Sequence, residues 1–207
     1  MGDVKIEEYR GVRRLMAAKL IEDTAEKITY GTPFPVAGVA EISRSTEASS
    51  ATHYYDNAAA IVIDSVGSDE VTITASAFPF DVLAQITGQY YDEEKGMFVE
   101  GERESEYYAL GYVTEKTDGT EIFVWRSKGK FSIPDSDHKS KDDGTDASGQ
   151  EITYTGINTN HKFELGSKKK TIKAVNVDTK KNPQDEETFF GTVQTPETIK
   201  KTETLSA

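Results

Sequence analysis

The chain has 207 residues, of which 36% are hydrophobic and 29% are charged, with a formal net charge of −12 and no cysteine. That length favours one domain with a substantial core, and the lack of cysteine excludes disulfides, thiolate zinc sites and cysteine nucleophiles. The negative charge disfavours a protein that grips nucleic acid over a wide surface, although a passage for DNA would also avoid attracting phosphates.

The chain carries no sign of a membrane segment or an export signal. No stretch approaches the ~20 apolar residues that a membrane-spanning helix requires. The first 30 residues carry scattered charges where a secretory signal would have an apolar core. We therefore expect no membrane partner, and synthesis in the cytoplasm.

The sequence of the first 78 residues mainly predicts strands. The apolar spacing of residues 12–27 suits a strand followed by a loop, although their composition would also allow a helix. In residues 71–78, apolar side chains alternate with hydroxyl side chains, which is typical of a half-buried strand. Strands are also predicted at residues 37–45 and 58–66. Between them lie a polar region at 46–50 and the short segment 51–55, and a turn is predicted at 67–69.

A short helix is predicted over about residues 79–87. Pro79 suits a helix start, Asp81 favours the first turn, and Gly88 can adopt the left-handed conformation that ends a helix. The stripe that we expect to pack on a sheet consists of Phe80, Leu83, Ala84 and Thr87, with Phe80 and Leu83 foremost.

The second half of the chain also favours strands. Residues 105–133 predict two strands joined by a two-residue connection at Asp118-Gly119. The other predictions are a solvated loop or short hairpin at 89–104, a mobile polar loop at 134–150, and strands at 151–158 and 171–177. From residue 180 onward the chain is polar, with Phe189-Phe190 as an anchor, and predicts an arm or frayed tail.

Two stretches resemble ligand-binding motifs but lack the residues that would contact the ligand. In an EF-hand-like stretch around Gly144, two calcium-ligand positions would be Lys139 and Lys141, which cannot bind calcium. In the phosphate-loop-like GSKKKT, Ser167 stands where the motif requires lysine. The run Lys168–Lys170 is better explained as a solvated turn than as a phosphate contact.

The histidines and clustered acids have equally ordinary explanations. The three histidines lie far apart in sequence and are expected at the surface: His53, His138 and His161. The alternating Glu102, Glu104 and Glu106 would suit a divalent cation, but an exposed acidic loop explains them more simply. We therefore expect no catalytic residue, no cofactor, no metal ion and no enzyme activity.

Six segments follow one another along the chain: LIEDTAEKITYGTP, VAEIS, HYYDNAA, FPFDVLAQITG, YYALGYV and FVWRSKGKFSIP. In this order and spacing they resemble the major tail proteins of long-tailed, siphovirus-type bacteriophages that infect Gram-positive bacteria. The resemblance covers about residues 13–170 and continues more weakly into ETFFGTVQTP.

That resemblance implies a mainly β fold, a β-sandwich or barrel with one short flanking helix, a protruding hairpin and a C-terminal arm. It implies a tail tube domain over residues 1–180 and an arm or tail over 181–207. It further implies hexameric rings that stack into the hollow virion tail, with tape measure and tail terminator or baseplate proteins as partners. Double-stranded DNA would pass through without specific binding, along a lumen that we expect to be net negative or neutral.

The candidate stacking element is a hairpin over about residues 46–60. A tube protein must pair with its neighbours, so it keeps strand edges that other proteins protect. The residues expected to mediate self-association are those of the hairpin tip: Thr52, His53, Tyr54, Tyr55, Asp56 and Asn57. One alternative is that Tyr54 and Tyr55 cover the chain's own core. The alternative function is a monomeric carbohydrate- or protein-binding β-sandwich module of a virion.

Overall fold

The computed structural model describes residues 6–138, 140 and 148–201. Within these ranges the chain is mainly β, as the sequence predicts. The strands are β1 (Tyr9–Asp23), β2 (Ile28–Tyr30), β3 (Phe34–Pro35), β4 (Val39–Tyr55), β5 (Ala58–Ala75), β6 (Tyr90–Asp92), β7 (Met97–Val99), β8 (Tyr108–Lys116), β9 (Glu121–Phe131), β10 (Asp135–Ser136), β11 (Gln150–Gly156), β12 (Phe163–Leu165), β13 (Lys168–Lys170) and β14 (Ala174–Asp178). The helices are α1 (Phe80–Thr87) and α2 (Glu186–Gly191).

Most of the described strands belong to one antiparallel sheet. Its main path runs β2-β1-β8-β9-β11-β5-β4, while β10 pairs with β11, β14 with β9 and β3 with β1. β4, at one end of this path, lies against β1 near the other end, so the sheet curls round in a barrel-like manner. The hairpins β6–β7 and β12–β13 form separate small sheets.

β9 divides the interior into two hydrophobic cores, because successive side chains of a strand point to opposite faces. Ile122 and Val124 join the larger core, to which α1 and the strands on both sides of β9 contribute. Phe123 and Trp125 join the smaller core on the other face. This two-sided packing, with a layer on each face of β9, gives the β-sandwich character that the sequence predicts.

Helix α1 forms where it is predicted, and Gly88 ends it with a φ of 75°. Leu83, Ala84 and Thr87 are buried as expected. Phe80 departs from the prediction, because its side chain is 54% exposed and stacks on Phe98 of β7, with ring centroids 5.4 Å apart. The helix therefore packs its Leu83 side inward, and its Phe80 side holds the β6–β7 hairpin.

The chain after β14 packs on the sheet, so the expectation of a frayed tail is wrong for α2. Asp185 caps this helix by accepting a hydrogen bond from the Thr188 backbone N–H. Phe189 and Phe190 are buried against Phe123 and Trp125, which confirms them as an anchor. The second helix was not predicted, because two adjacent aromatic residues in a polar stretch give no helical periodicity.

Two predicted turns also differ from the structure. The turn expected at residues 67–69 is absent, because β5 runs through it without interruption from Ala58 to Ala75. The β8–β9 hairpin is confirmed, but its connection is longer than the two residues predicted. Lys116 bonds to both Gly119 and Thr120, and Gly119 has a φ of 81°, which is typical of a three-residue loop with a bulge.

Much of the loop predicted at residues 134–150 lies outside the described residues, which omit 139 and 141–147. Its described ends form a short ladder between β10 and the start of β11. Neither helix in the described ranges has the length and apolar character needed to span a membrane.

Candidate self-association site

A long two-stranded arm projects from the sheet. β5 pairs with β11 only as far as Asp69, whereas its pairing with β4 continues to the Tyr55–Ala58 end. We call residues 46–68 the arm; this element is distinct from the C-terminal arm predicted for residues 181–207. It contains the predicted 46–60 hairpin and extends it by several residues of β5, including those predicted as a turn.

The tip of the arm is a tight turn that carries the predicted self-association residues. Asp56 and Asn57 both have positive φ, 50° and 61°, which two-residue hairpin turns of the primed type require. Thr52 to Asn57 are all exposed. Tyr54 and Tyr55 are 68% and 60% exposed, so the alternative that they cover the chain's own core is wrong.

Both faces of the arm present apolar side chains to solvent. Ile61 and Ile63 lie on one face, because they are two residues apart on β5, and Val62 and Val66 lie on the other. All four are exposed. Residues 46–68 contain no lysine or arginine. An apolar surface of this kind, without a core beneath it, is typical of sites of contact with another protein.

The outer edge of β4 is also open. Among the described strands, β4 pairs with β5 alone, so one side of its backbone has no ladder partner. Its outward-pointing N–H and C=O groups can accept a further strand. The arm therefore offers two means of association, apolar side chains and unpaired backbone.

Asp69 holds the base of the arm to the body. Its carboxylate lies 2.8 Å from Arg126 Nη1 and 2.8 Å from Lys173 Nζ, and it accepts a hydrogen bond of 3.0 Å from the Thr46 hydroxyl. Arg44 is a more distant third cation, at 3.7 Å. Burial alone would raise the pKa of Asp69, but the hydrogen bonds from Lys173 and Arg126 outweigh it and hold that pKa below its usual value.

A groove opens beside this anchor, between β4 on one side and β1, β8, β9 and β14 on the other. Its volume is about 840 Å³. Its lining is mixed: Ile42, Tyr112, Ile122 and Val124 form an apolar floor, of which the last three also belong to the larger core, and polar side chains surround it. Arg44, Asp69 and Arg126 line it where the arm leaves the sheet. Sequence reasoning missed both the anchor and the groove, because their residues come from strands that are distant along the chain.

The other residues considered in the sequence form no site with the tip. His53 lies on the arm, His138 is exposed, and His161 packs its ring edge-on against Phe163. Glu106 forms an ion pair with Lys19. Lys168–Lys170 form exposed β13. No group of three or more histidine, aspartate or glutamate residues in the described ranges could hold a metal ion.

The comparison with known families agrees with this architecture. A model of the phage tail tube protein family matches residues 40–195, from the base of the arm to the end of the smaller core. The chain belongs to the phage tail tube protein family. The tail tube match includes the whole arm, and it confirms the family predicted from the six segments. No curated protein matches the chain.

Membership of the tail tube family settles the broad role of the protein. It is a structural, non-enzymatic component of the virion, located in the tail. The prediction that the chain is not an enzyme is confirmed on that ground.

Proposed function

We propose that this protein forms hexameric rings that stack into the hollow tail tube of a long-tailed phage of a Gram-positive bacterium, and that DNA leaves the capsid through the tube. The observation that carries the stacking role is the arm, with its exposed Tyr54 and Tyr55 and its apolar faces. In a free monomer these side chains are exposed and contribute to no hydrophobic core, whereas in an assembled subunit they are buried against a neighbour. The arm is thus the element that joins copies.

The dimensions of the arm suit contact with an adjacent ring. Nine residue steps separate Thr46 from Tyr55, and at ~3.3 Å per residue the arm extends roughly 30 Å from its base. A compact chain of this length has a radius of gyration of about 17 Å. The arm therefore reaches past its own body into that of a neighbour. A stack of rings needs two kinds of contact between subunits, one that closes each ring and one that joins each ring to the next. The arm supplies the contact between rings.

The net charge of −12 suits a passage for DNA. We propose that the lumen-facing side chains are net negative or neutral, so that DNA passes without specific binding. Tape measure and tail terminator or baseplate proteins are the further partners, and assembly takes place in the host cytoplasm. Tubes that retain DNA with a steep salt dependence would contradict the lumen proposal.

The test is a shortened arm. Replacing residues 50–64 by Asn-Gly keeps Ser49 opposite Ser65, which pair in the native arm, and supplies a turn of the favoured type. We expect a folded monomer, because the arm contributes no buried side chain, and we expect negative-stain electron microscopy to show no tubes. Replacement of Thr52–Asn57 alone by a Gly-Ser turn should weaken assembly in the same direction.

The control is a turn replacement elsewhere, comparable in extent to the replacement of Thr52–Asn57. A variant that replaces Leu165–Lys168, at the tip of the exposed β12–β13 hairpin, by Asn-Gly should still form tubes. Normal tubes from the shortened-arm variant would contradict the stacking role. Wild-type protein that stays monomeric at every concentration, with or without tail extracts, would favour the monomeric binding module instead.

A further inference from the structure

We propose that the groove beside Asp69 is the receptor for the arm of another copy, with the rings of the tip tyrosines on its apolar floor, their hydroxyl groups among its polar side chains, and Asp56 near its cations. This inference rests on the proposed tube assembly and adds the surface to which the arm docks. Groove and tip belong to the same chain, so every subunit would both insert a tip and receive one. Such a head-to-tail contact propagates, as stacking requires.

The groove carries excess positive charge although the protein as a whole is strongly acidic. Arg126, Lys173 and Arg44 converge on the single carboxylate of Asp69. Glu41 also lines the groove, and Arg10 there is already paired with Glu115. Lys173 lies behind the lining on Asp69, and with it the cations of this cluster exceed Glu41 and Asp69 by one positive charge.

Arg126 is the least satisfied of these cations. Its side chain is 5% exposed, and its Nε has no hydrogen-bond partner in the structure. Arg44 is half exposed, and its contact with Asp69 is longer than an ordinary hydrogen bond. A second acidic group entering the groove would therefore meet cations that Asp69 alone does not neutralise.

The tip of the arm has the complementary chemistry. Its acids are Asp56 in the turn and, farther back, Asp64 and Glu47, without any lysine or arginine in the arm. Tyr54 and Tyr55 immediately precede the turn and combine apolar rings with hydroxyl groups, which suits a lining that holds both apolar side chains, such as Ile42, and polar ones, such as Asn176. A groove of about 840 Å³ is within the ~300–1,000 Å³ range of pockets that enclose several side-chain-sized groups.

A chain cannot fill its own groove with its own tip. The groove lies at the base of the arm, whereas the tip is nine residues farther along a paired β4–β5 ladder, roughly 30 Å away at ~3.3 Å per residue. Docking must therefore occur between copies.

Cysteine cross-linking tests this directly, since the chain has no cysteine of its own. One variant carries Ala58→Cys beside the turn, and two others carry Ala40→Cys or Asn176→Cys, on opposite walls of the groove. The tip variant is mixed with one groove variant at a time, together with wild-type protein, and the mixture is assembled and mildly oxidised. A disulfide requires Cα atoms within ~7 Å, so it reports a seated tip.

We expect cross-linked dimers between the tip variant and at least one groove variant in tubes, and none with Ser167→Cys on the exposed β12–β13 turn. Tubes that form without any tip-to-groove cross-link, or that cross-link the tip to Ser167→Cys instead, would overturn the groove as receptor and leave the tube function intact. Failure of the wild-type protein to form tubes would overturn both.

A matched pair of substitutions supplies the second measurement. Asp56→Asn removes the tip charge and keeps a side chain that tolerates positive φ, whereas Asp64→Asn removes a charge from the middle of the arm. We expect Asp56→Asn to raise the protein concentration needed for tube formation roughly tenfold, as for loss of a hydrogen bond to a charged group, with a much smaller effect of Asp64→Asn. Equal effects of the two variants would contradict the proposed contact.

Discussion

Asp23 and Lys128 form a buried ion pair, with 2.7 Å between Oδ2 and Nζ, that links the end of β1 to β9. The same carboxylate accepts backbone hydrogen bonds from Asn160 and His161. One side chain thereby connects β1, β9 and the segment that follows β11.

Replacement of Asp23 should destabilise the body. In Asp23→Asn, Lys128 would lose its ion-pair partner, and we expect the free energy of unfolding to fall by about 3 kcal/mol. Glu22→Gln is the control, because its ion pair with Lys27 is exposed and such pairs contribute about 0–1 kcal/mol. Urea unfolding followed by tryptophan fluorescence measures both, and equal midpoints for the two variants would contradict this role of Asp23.

Acid should weaken the fold through the two buried aspartates. Burial opposes ionisation of both carboxylates, but hydrogen bonds outweigh it and lower the pKa of both Asp23 and Asp69 in the folded state. The donors are Lys128 and two backbone N–H groups for Asp23, and mainly Lys173 and Arg126 for Asp69. A lowered folded pKa means that the stabilisation is complete above the unfolded pKa of about 3.9 and is lost as pH falls through the folded value. We expect the urea midpoint to drop steeply below about pH 4, and the drop to be shallower in Asp69→Asn. The exposed neighbour variant Glu70→Gln should retain the wild-type pH profile.

The C-terminal segment should contribute to global stability. Phe190 is buried against Phe123 and Trp125, and Phe190→Ala leaves a cavity that costs about 3–5 kcal/mol. Tyr54→Ala is the matched aromatic control on the exposed arm and should leave the unfolding midpoint of the monomer within error. A wild-type midpoint for Phe190→Ala would mean that α2 is not part of the cooperative unit.

Gly88 should tolerate no side chain. Its φ of 75° is strained for other residues by about 1–2 kcal/mol, and an added Cβ would meet the Glu104 carbonyl oxygen at 2.1 Å. Gly88→Ala should therefore lower the thermal midpoint, whereas Gly101→Ala, with open space around it, should not. Calorimetry of the two variants decides the matter, and an unchanged midpoint in Gly88→Ala would be inconsistent with this helix end.

Local patterns predicted much of this fold. Alternation in residues 71–78 identified the last part of β5, which ends at Ala75, and Pro79 with Gly88 bounded α1 within about one residue. What local patterns missed depends on tertiary contacts. Gly67-Ser68-Asp69 has the composition of a turn, yet Asp69 is held in a strand by Arg126 and Lys173.

The site was predictable at its tip but not at its base. The sequence HYYDN identified a turn with exposed aromatic residues, because turn chemistry is local. The groove is formed by residues of β1, β4, β8, β9 and β14. These strands are distant along the chain, so local sequence patterns do not predict that they lie together. The assignment to the tail tube family depended on the order of six segments along the chain. No single segment would have been sufficient for it.

Hydrogen–deuterium exchange of the arm tests the central claim most directly. Amides on the outer edge of β4 in residues 46–55 lack a strand partner in the free subunit. We predict that these amides, compared with the free monomer, exchange markedly more slowly in the assembled tube, while the body around Trp125 changes little. Equal exchange of the arm in monomer and tube would contradict the claim that other copies cover it.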